Sequence, residues 1–202
     1  MRCLLQNLTR MLTLFAVLGG AAAVHAATTV IHAGTLLAVP GEKPLQEQTV
    51  VIRDGKVSEV LAGYREPGSI DAAASLVDLK QAFVMPGLMD MHVHLQGELG
   101  PDEDRQTLKE SSQLMQMRSL MYAQRTLQAG FTTLRDAGSS PQEMYALRDA
   151  INQGWIDGPR IIAAGGVGVT GGHNDVSGMK PELMEFYTRP TVCDGPYDCR
   201  RA

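Results

Sequence analysis

The stretch Val84-Met85-Pro86-Gly87-Leu88-Met89-Asp90-Met91-His92-Val93-His94-Leu95 constrains this chain more than any other. At the two-residue period of a strand, Asp90, His92 and His94 share one face, and Met89, Met91, Val93 and Leu95 share the other. The spacing predicts a strand buried on its apolar side that holds two imidazoles side by side on the opposite side. Neutral imidazole nitrogens bind borderline divalent ions such as zinc, and two on one strand face can reach one ion. The bland counterpart is a pair of histidines on a polar sheet face, since short motifs match by chance. Pro86-Gly87 marks a break just before the strand.

Around this stretch the chain alternates in type. Residues 28–39 and 49–52 are rich in β-branched residues. Asp54-Gly55 between apolar runs signals a hairpin, returning through residues 57–61. Residues 76–79 and Phe83 extend this small β subdomain, which needs something larger to pack on. Past His94 lies a polar loop, residues 96–104. Apolar positions recurring at seven (Leu108, Met115, Tyr122, Ala129) predict a helix over 107–129, with Leu114, Met117 and Met121 as core filling and Gly130 as its stop. Residues 131–134 then form a short strand ending in Arg135-Asp136-Ala137-Gly138. Ser140-Pro141 opens a second helix with Met144, Leu147 and Ile151 on its apolar face. A third strand spans 160–164, a glycine-rich loop 165–172, and short helices are expected over 182–187 and 195–202. Strand, helix, strand, helix, strand is the rhythm of parallel βα units.

The chain has 202 residues, 44% hydrophobic and 20% charged, with a formal charge of −4. There is no basic run, so nothing points to nucleic acid or an anionic membrane surface. Arg2 and Arg10 precede an apolar run from Met11 to Val24, and Val24-His25-Ala26 fits a signal-peptidase site. Residues 1–26 are therefore expected to be a signal peptide sending the protein to the periplasm or outside the cell. The run is shorter than the roughly 20 residues that span a bilayer, so no stable membrane anchor is expected. Cys3 leaves with that segment. Cys193 and Cys199 remain, and in an oxidising compartment they form either a disulfide or two free thiols.

The twelve-residue stretch resembles the first barrel strand of the amidohydrolase superfamily, whose pattern is Pro-Gly-apolar-apolar-Asp-x-His-x-His. Gly130 to Gly138 and Gly158 to Asp175, including Thr-Gly-Gly-His-Asn-Asp, resemble the branch containing imidazolonepropionase-like proteins and metal-dependent prolidase-type dipeptidases. The resemblance implies an α/β fold: the first three strands of a TIM-type β/α barrel over 85–202, preceded by a small β-sandwich-like subdomain over 27–84. It implies His92 and His94 as ligands of a divalent metal centre, zinc with one or two ions, and His173 as a substrate-binding residue. It also implies that the catalytic aspartate and the remaining ligands belong to later strands, so no catalytic residue is assigned in this chain. A complete barrel takes about 250 residues, more than this chain offers.

The expected function is therefore the N-terminal portion of an exported, metal-dependent hydrolase of amide or peptide C–N bonds, acting on a dipeptide or other small molecule. By itself the chain is expected to be inactive. A non-catalytic exported binding module or a truncated product is the alternative, and a second chain or further polypeptide completing the barrel is a third. For Arg135 and Asp136, substrate contacts compete with a structural charge pair or helix cap. Gly165-Gly166-Val167-Gly168 lacks the lysine and the helix start of a phosphate loop, which favours a barrel loop.

Overall fold

Asp54 and Gly55 both take positive φ, 51° and 71°, in the computed structural model, as a two-residue type I′ hairpin turn requires. The structure describes residues 28–98, 100–101, 106, 109–169, 172, 180–187 and 191–202. The signal-peptide expectation for 1–26 and the expectation for His173 lie outside the described residues. The chain divides into two compact units between Pro86 and Gly87.

The first unit is a four-stranded sheet in the order β3-β2-β1-β4. Its strands are β1 (Thr28–Leu36), β2 (Leu45–Arg53), β3 (Lys56–Ala62) and β4 (Ser75–Val84). β1 runs antiparallel to β2 and parallel to β4. The segments expected separately at 76–79 and Phe83 are one strand. They are divided by an irregularity in which β4 gains two residues opposite Gly34, between Leu79 and Phe83. Only glycine fits there, because a Cβ at residue 34 would sit 2.0 Å from the Lys80 carbonyl oxygen. His32 is buried in this sheet, its Nε2 2.8 Å from the Arg65 carbonyl oxygen. Thr49 Oγ1 donates to the Gly63 carbonyl and accepts from Arg65 N–H, fastening the chain after β3 across the same face. Among the described residues this unit is one sheet layer, half of the sandwich-like arrangement that the sequence suggested.

The second unit is α/β: strands β5 (Leu88–Val93), β6 (Phe131–Asp136) and β7 (Arg160–Ala163) are parallel and lie in chain order. With α1 the single turn Pro67–Ile70 of the first unit, the crossovers here are α2 (Ser112–Gln128) and α3 (Pro141–Asn152). Leu95, Ala123, Leu134, Met144, Leu147 and Ile161 form the core between strands and helices. Ser111 caps α2 by accepting from Leu114 N–H, and Pro141 occupies the first turn of α3. Two short helices, α4 (Pro181–Tyr187) and α5 (Pro196–Arg201), close the chain. No helix among the described residues is long and apolar enough to cross a membrane.

Two expectations are corrected. The α2 residues Leu114, Met117 and Met121 are exposed rather than core filling, Met117 by 63%. The side of α2 that packs is its small-residue side, where Ser119 and Ala123 are buried. Met89 and Met91 are likewise exposed, by 67% and 50%. Among the described residues β5 pairs only with β6, so one of its edges has no neighbour to cover those side chains. The cysteine alternatives resolve to a disulfide, Cys193–Cys199. It anchors a short parallel bridge in which Gly168 N–H donates to the Thr191 carbonyl and Cys193 N–H to the Gly168 carbonyl. Gly168, in the glycine-rich stretch after β7, is thereby tied to the disulfide segment.

Candidate metal centre

In β/α arrangements the reacting groups stand at the C-terminal ends of the strands, and both predicted ligands are there. His92 is in the last turn of pleat of β5 and His94 one residue past its end. Their rings stack with centroids 5.4 Å apart and planes 26° from parallel. The two Nε2 atoms are 3.3 Å apart. Two imidazole nitrogens bound to one tetrahedral zinc, each at 2.0–2.1 Å, would be separated by about 3.3–3.4 Å. The donor set and its spacing thus fit one shared divalent ion. Without an ion, the same distance suits a hydrogen bond from one ring's N–H to the other's lone pair. Both rings are exposed, which leaves room for further ligands and a substrate.

The strand carrying them is not regular. Asp90 pairs with Leu134 and Val93 with Asp136, so β5 spends three residues where β6 spends two. Asp90 therefore lies on the side of Leu134, not in one alternating row with His92 and His94. It serves the pair through its backbone-directed carboxylate: His92 N–H donates to Asp90 Oδ1 at 3.0 Å.

Arg135 and Asp136 form neither a charge pair nor a helix cap. Arg135 Nη1 donates to the Met91 carbonyl at 3.1 Å. Asp136 is fully buried, and its carboxylate accepts from Leu95 N–H (2.8 Å), Gly138 N–H (3.3 Å), Ser139 N–H (2.8 Å) and Ser139 Oγ (2.6 Å). A buried carboxylate persists when hydrogen bonds replace its lost hydration. This one welds the turn after His94 to the turn after β6. Ala137 N–H adds a bond to the Val93 carbonyl, and Ser140 N–H one to Gln96 Oε1. Gly138 adjoins the His94 ring closely enough that a Cβ there would meet it. These supporting roles escaped the sequence reading, although Arg-Asp-Ala-Gly immediately after a strand was the available signal.

Among the described residues no group of three or more His, Cys, Asp or Glu side chains converges. Tyr122 Oη donates to Glu98 Oε2 at 2.7 Å. That bond, with burial and the Glu98 charge, raises the phenol above its ordinary value.

Residues 83–196 match the family model described as the amidohydrolase family. A dihydroorotase from Anaeromyxobacter sp. (strain K) is 52% identical over 48 residues, 24% of this chain and 10% of the relative. Among solved structures, a Xaa-Pro dipeptidase with bound methionine in its active site is similar at 34% identity and a TM-score of 0.74, covering 87% of this chain and 44% of that one. A prolidase complexed with N-methylphosphonate-L-proline is similar at 29% identity and a TM-score of 0.64, covering 84% of this chain and 41% of that one. The chain thus spans less than half the length of these solved relatives, and a tenth of the dihydroorotase is matched. The family model takes in the His-x-His strand, both crossovers and the disulfide's first cysteine, and on that breadth of agreement with the parallel sheet the chain belongs to the amidohydrolase family, whose members are hydrolytic enzymes.

Proposed function

We propose that this chain carries the first two metal ligands, His92 and His94, of a divalent-metal-dependent hydrolase that cleaves amide or peptide C–N bonds, of dipeptidase type. The observation that carries the reading is the 3.3 Å Nε2–Nε2 separation at the C-terminal end of β5. Similarity to a Xaa-Pro dipeptidase and a prolidase supports the dipeptide class. A zinc ion held by His92 and His94 together with further ligands would supply Lewis acidity toward a carbonyl and toward water. The chain's own contribution is to present two imidazoles, keep them exposed to a substrate and fix the two turns beneath them. Catalytic zinc normally has three protein ligands, so the remaining ligands and the proton-accepting carboxylate come from residues other than those described. His173 is the proposed contact for a substrate carboxylate, and residues 1–26 the proposed export signal.

A panel of dipeptides, N-acyl amino acids and phosphate or carboxylate esters, incubated with the zinc-loaded protein with and without chelator, tests this reading. Little or no turnover is expected from this chain alone, and any that is seen should be confined to C–N bonds and vanish with chelator. Chelator-resistant turnover, or turnover confined to esters, contradicts it.

A further inference from the structure

We propose that Asp90 and Arg135 are positioning residues that together set the spacing of the His92–His94 pair. The inference deepens the metal reading above and rests on it for its consequence, but its geometry stands on the strand alone. Between Asp90 and Val93, β5 carries one residue more than β6 has between Leu134 and Asp136. An extra residue breaks the ladder locally, bends the strand and re-aims side chains. It also frees backbone groups that need other partners.

Two of those groups find side chains, one from each strand. His92 N–H donates to the Asp90 carboxylate at 3.0 Å, and the Met91 carbonyl accepts from the Arg135 guanidinium at 3.1 Å. Both bonds flank the one peptide that links Met91 to His92. The bulge ends at Val93, the residue between the two ligands, and around it the His92 and His94 ring centroids stand 5.4 Å apart. Asp90 and Arg135 hold the bulge, and the bulge brings two nitrogens to the distance one ion needs. Arg135 stands on the strand after the histidine strand, so the two motifs are one device.

Asp90→Ala and Arg135→Met remove the two bonds; Asp90→Asn keeps an acceptor oxygen and Arg135→Lys keeps a charged donor. Zinc affinity, read by competition with a chromophoric chelator, is expected to fall roughly 10–100-fold in the first pair and by only a few-fold in the second. In the metal-free protein, NMR contacts between the His92 and His94 ring protons are expected to weaken in Arg135→Met and persist in Arg135→Lys. Should Arg135→Met not fold, Arg135→Gln, with its shorter donor, is read in its place. Parental zinc affinity in both Asp90→Ala and Arg135→Met overturns the positioning role, while loss of binding in a His92→Ala, His94→Ala double variant still upholds the metal reading. If the double variant binds zinc as the parent does, the metal reading falls. The ring contacts then decide alone: unchanged contacts in Arg135→Met overturn the positioning role, and lost contacts sustain it.

Discussion

The imidazole of His94 rests directly on the backbone of Gly138, so that a Cβ at position 138 would sit 2.3 Å from Cε1 and 2.6 Å from Nδ1 of the ring. One residue on the loop after β6 therefore fixes where a ligand on the loop after β5 can be. Gly138→Ala is expected to push the ring aside, at a cost of about 1–3 kcal/mol for the forced repacking. Zinc affinity should fall at least tenfold. Urea unfolding and chelator competition on the same preparation check both halves of this expectation.

Asp136 is the hub beneath that contact. Asp136→Ala leaves three N–H groups and the Ser139 hydroxyl with no acceptor. Each buried group so orphaned costs about 1–3 kcal/mol, and partial access of water to the opened turn limits the sum. A loss on the order of 3–5 kcal/mol is expected in urea unfolding. Asp136→Asn, which keeps one acceptor oxygen, should lose less. A change below about 1 kcal/mol for the alanine variant would contradict the hub role.

The Cys193–Cys199 disulfide acts locally. Its small loop implies a stabilisation of about 2 kcal/mol from restriction of the unfolded chain. Cys193 is buried and Cys199 exposed, so a reductant has access from one side. Reduction is expected to accelerate amide exchange at Gly168 and Cys193, the two donors of the bridge to the loop after β7. Exchange at Leu134 and Ile161 in the core should stay as before. Uniform acceleration across the second unit would show that the bond supports the whole unit instead.

Tyr122 gives a pH signature. Its hydrogen bond to Glu98, burial and the nearby carboxylate charge raise its pKa. A raised folded-state value means the folded form holds its proton longer. The associated stability is fully present below the ordinary tyrosine value of about 10 and is lost as pH rises through the higher folded value. Spectrophotometric titration should show one tyrosine ionising late, and Glu98→Gln should return it toward the others.

Much of this arrangement was readable beforehand because it rests on local chemistry. Asp54-Gly55 can only be a tight turn between apolar runs, and Ser140-Pro141 suits the start of a helix. His92 and His94 announced themselves by spacing. The bulge did not, because it arises from a mismatch in length between β5 and β6 that neither strand shows by itself. For the same reason the spacing puts Asp90 in one row with the histidines, and leaves Arg135 and Asp136 open between substrate contacts, a charge pair and a helix cap. Their true partners, the Met91 carbonyl and the turns at Leu95 and Ser139, are set by tertiary pairing. Leu114, Met117 and Met121 lie beside the heptad row, and nearness to an apolar stripe does not say what covers a side chain. The packed side holds the buried Ser119 and Ala123, with Leu120 and Tyr122 against the core.

X-ray absorption at the zinc edge tests the central claim most directly. Zinc-loaded protein is expected to show two imidazole nitrogens at about 2.0–2.1 Å, with both lost in the His92→Ala, His94→Ala double variant. An unchanged spectrum in that variant, or a first shell without imidazole in the parent, would contradict the assignment of this pair as metal ligands.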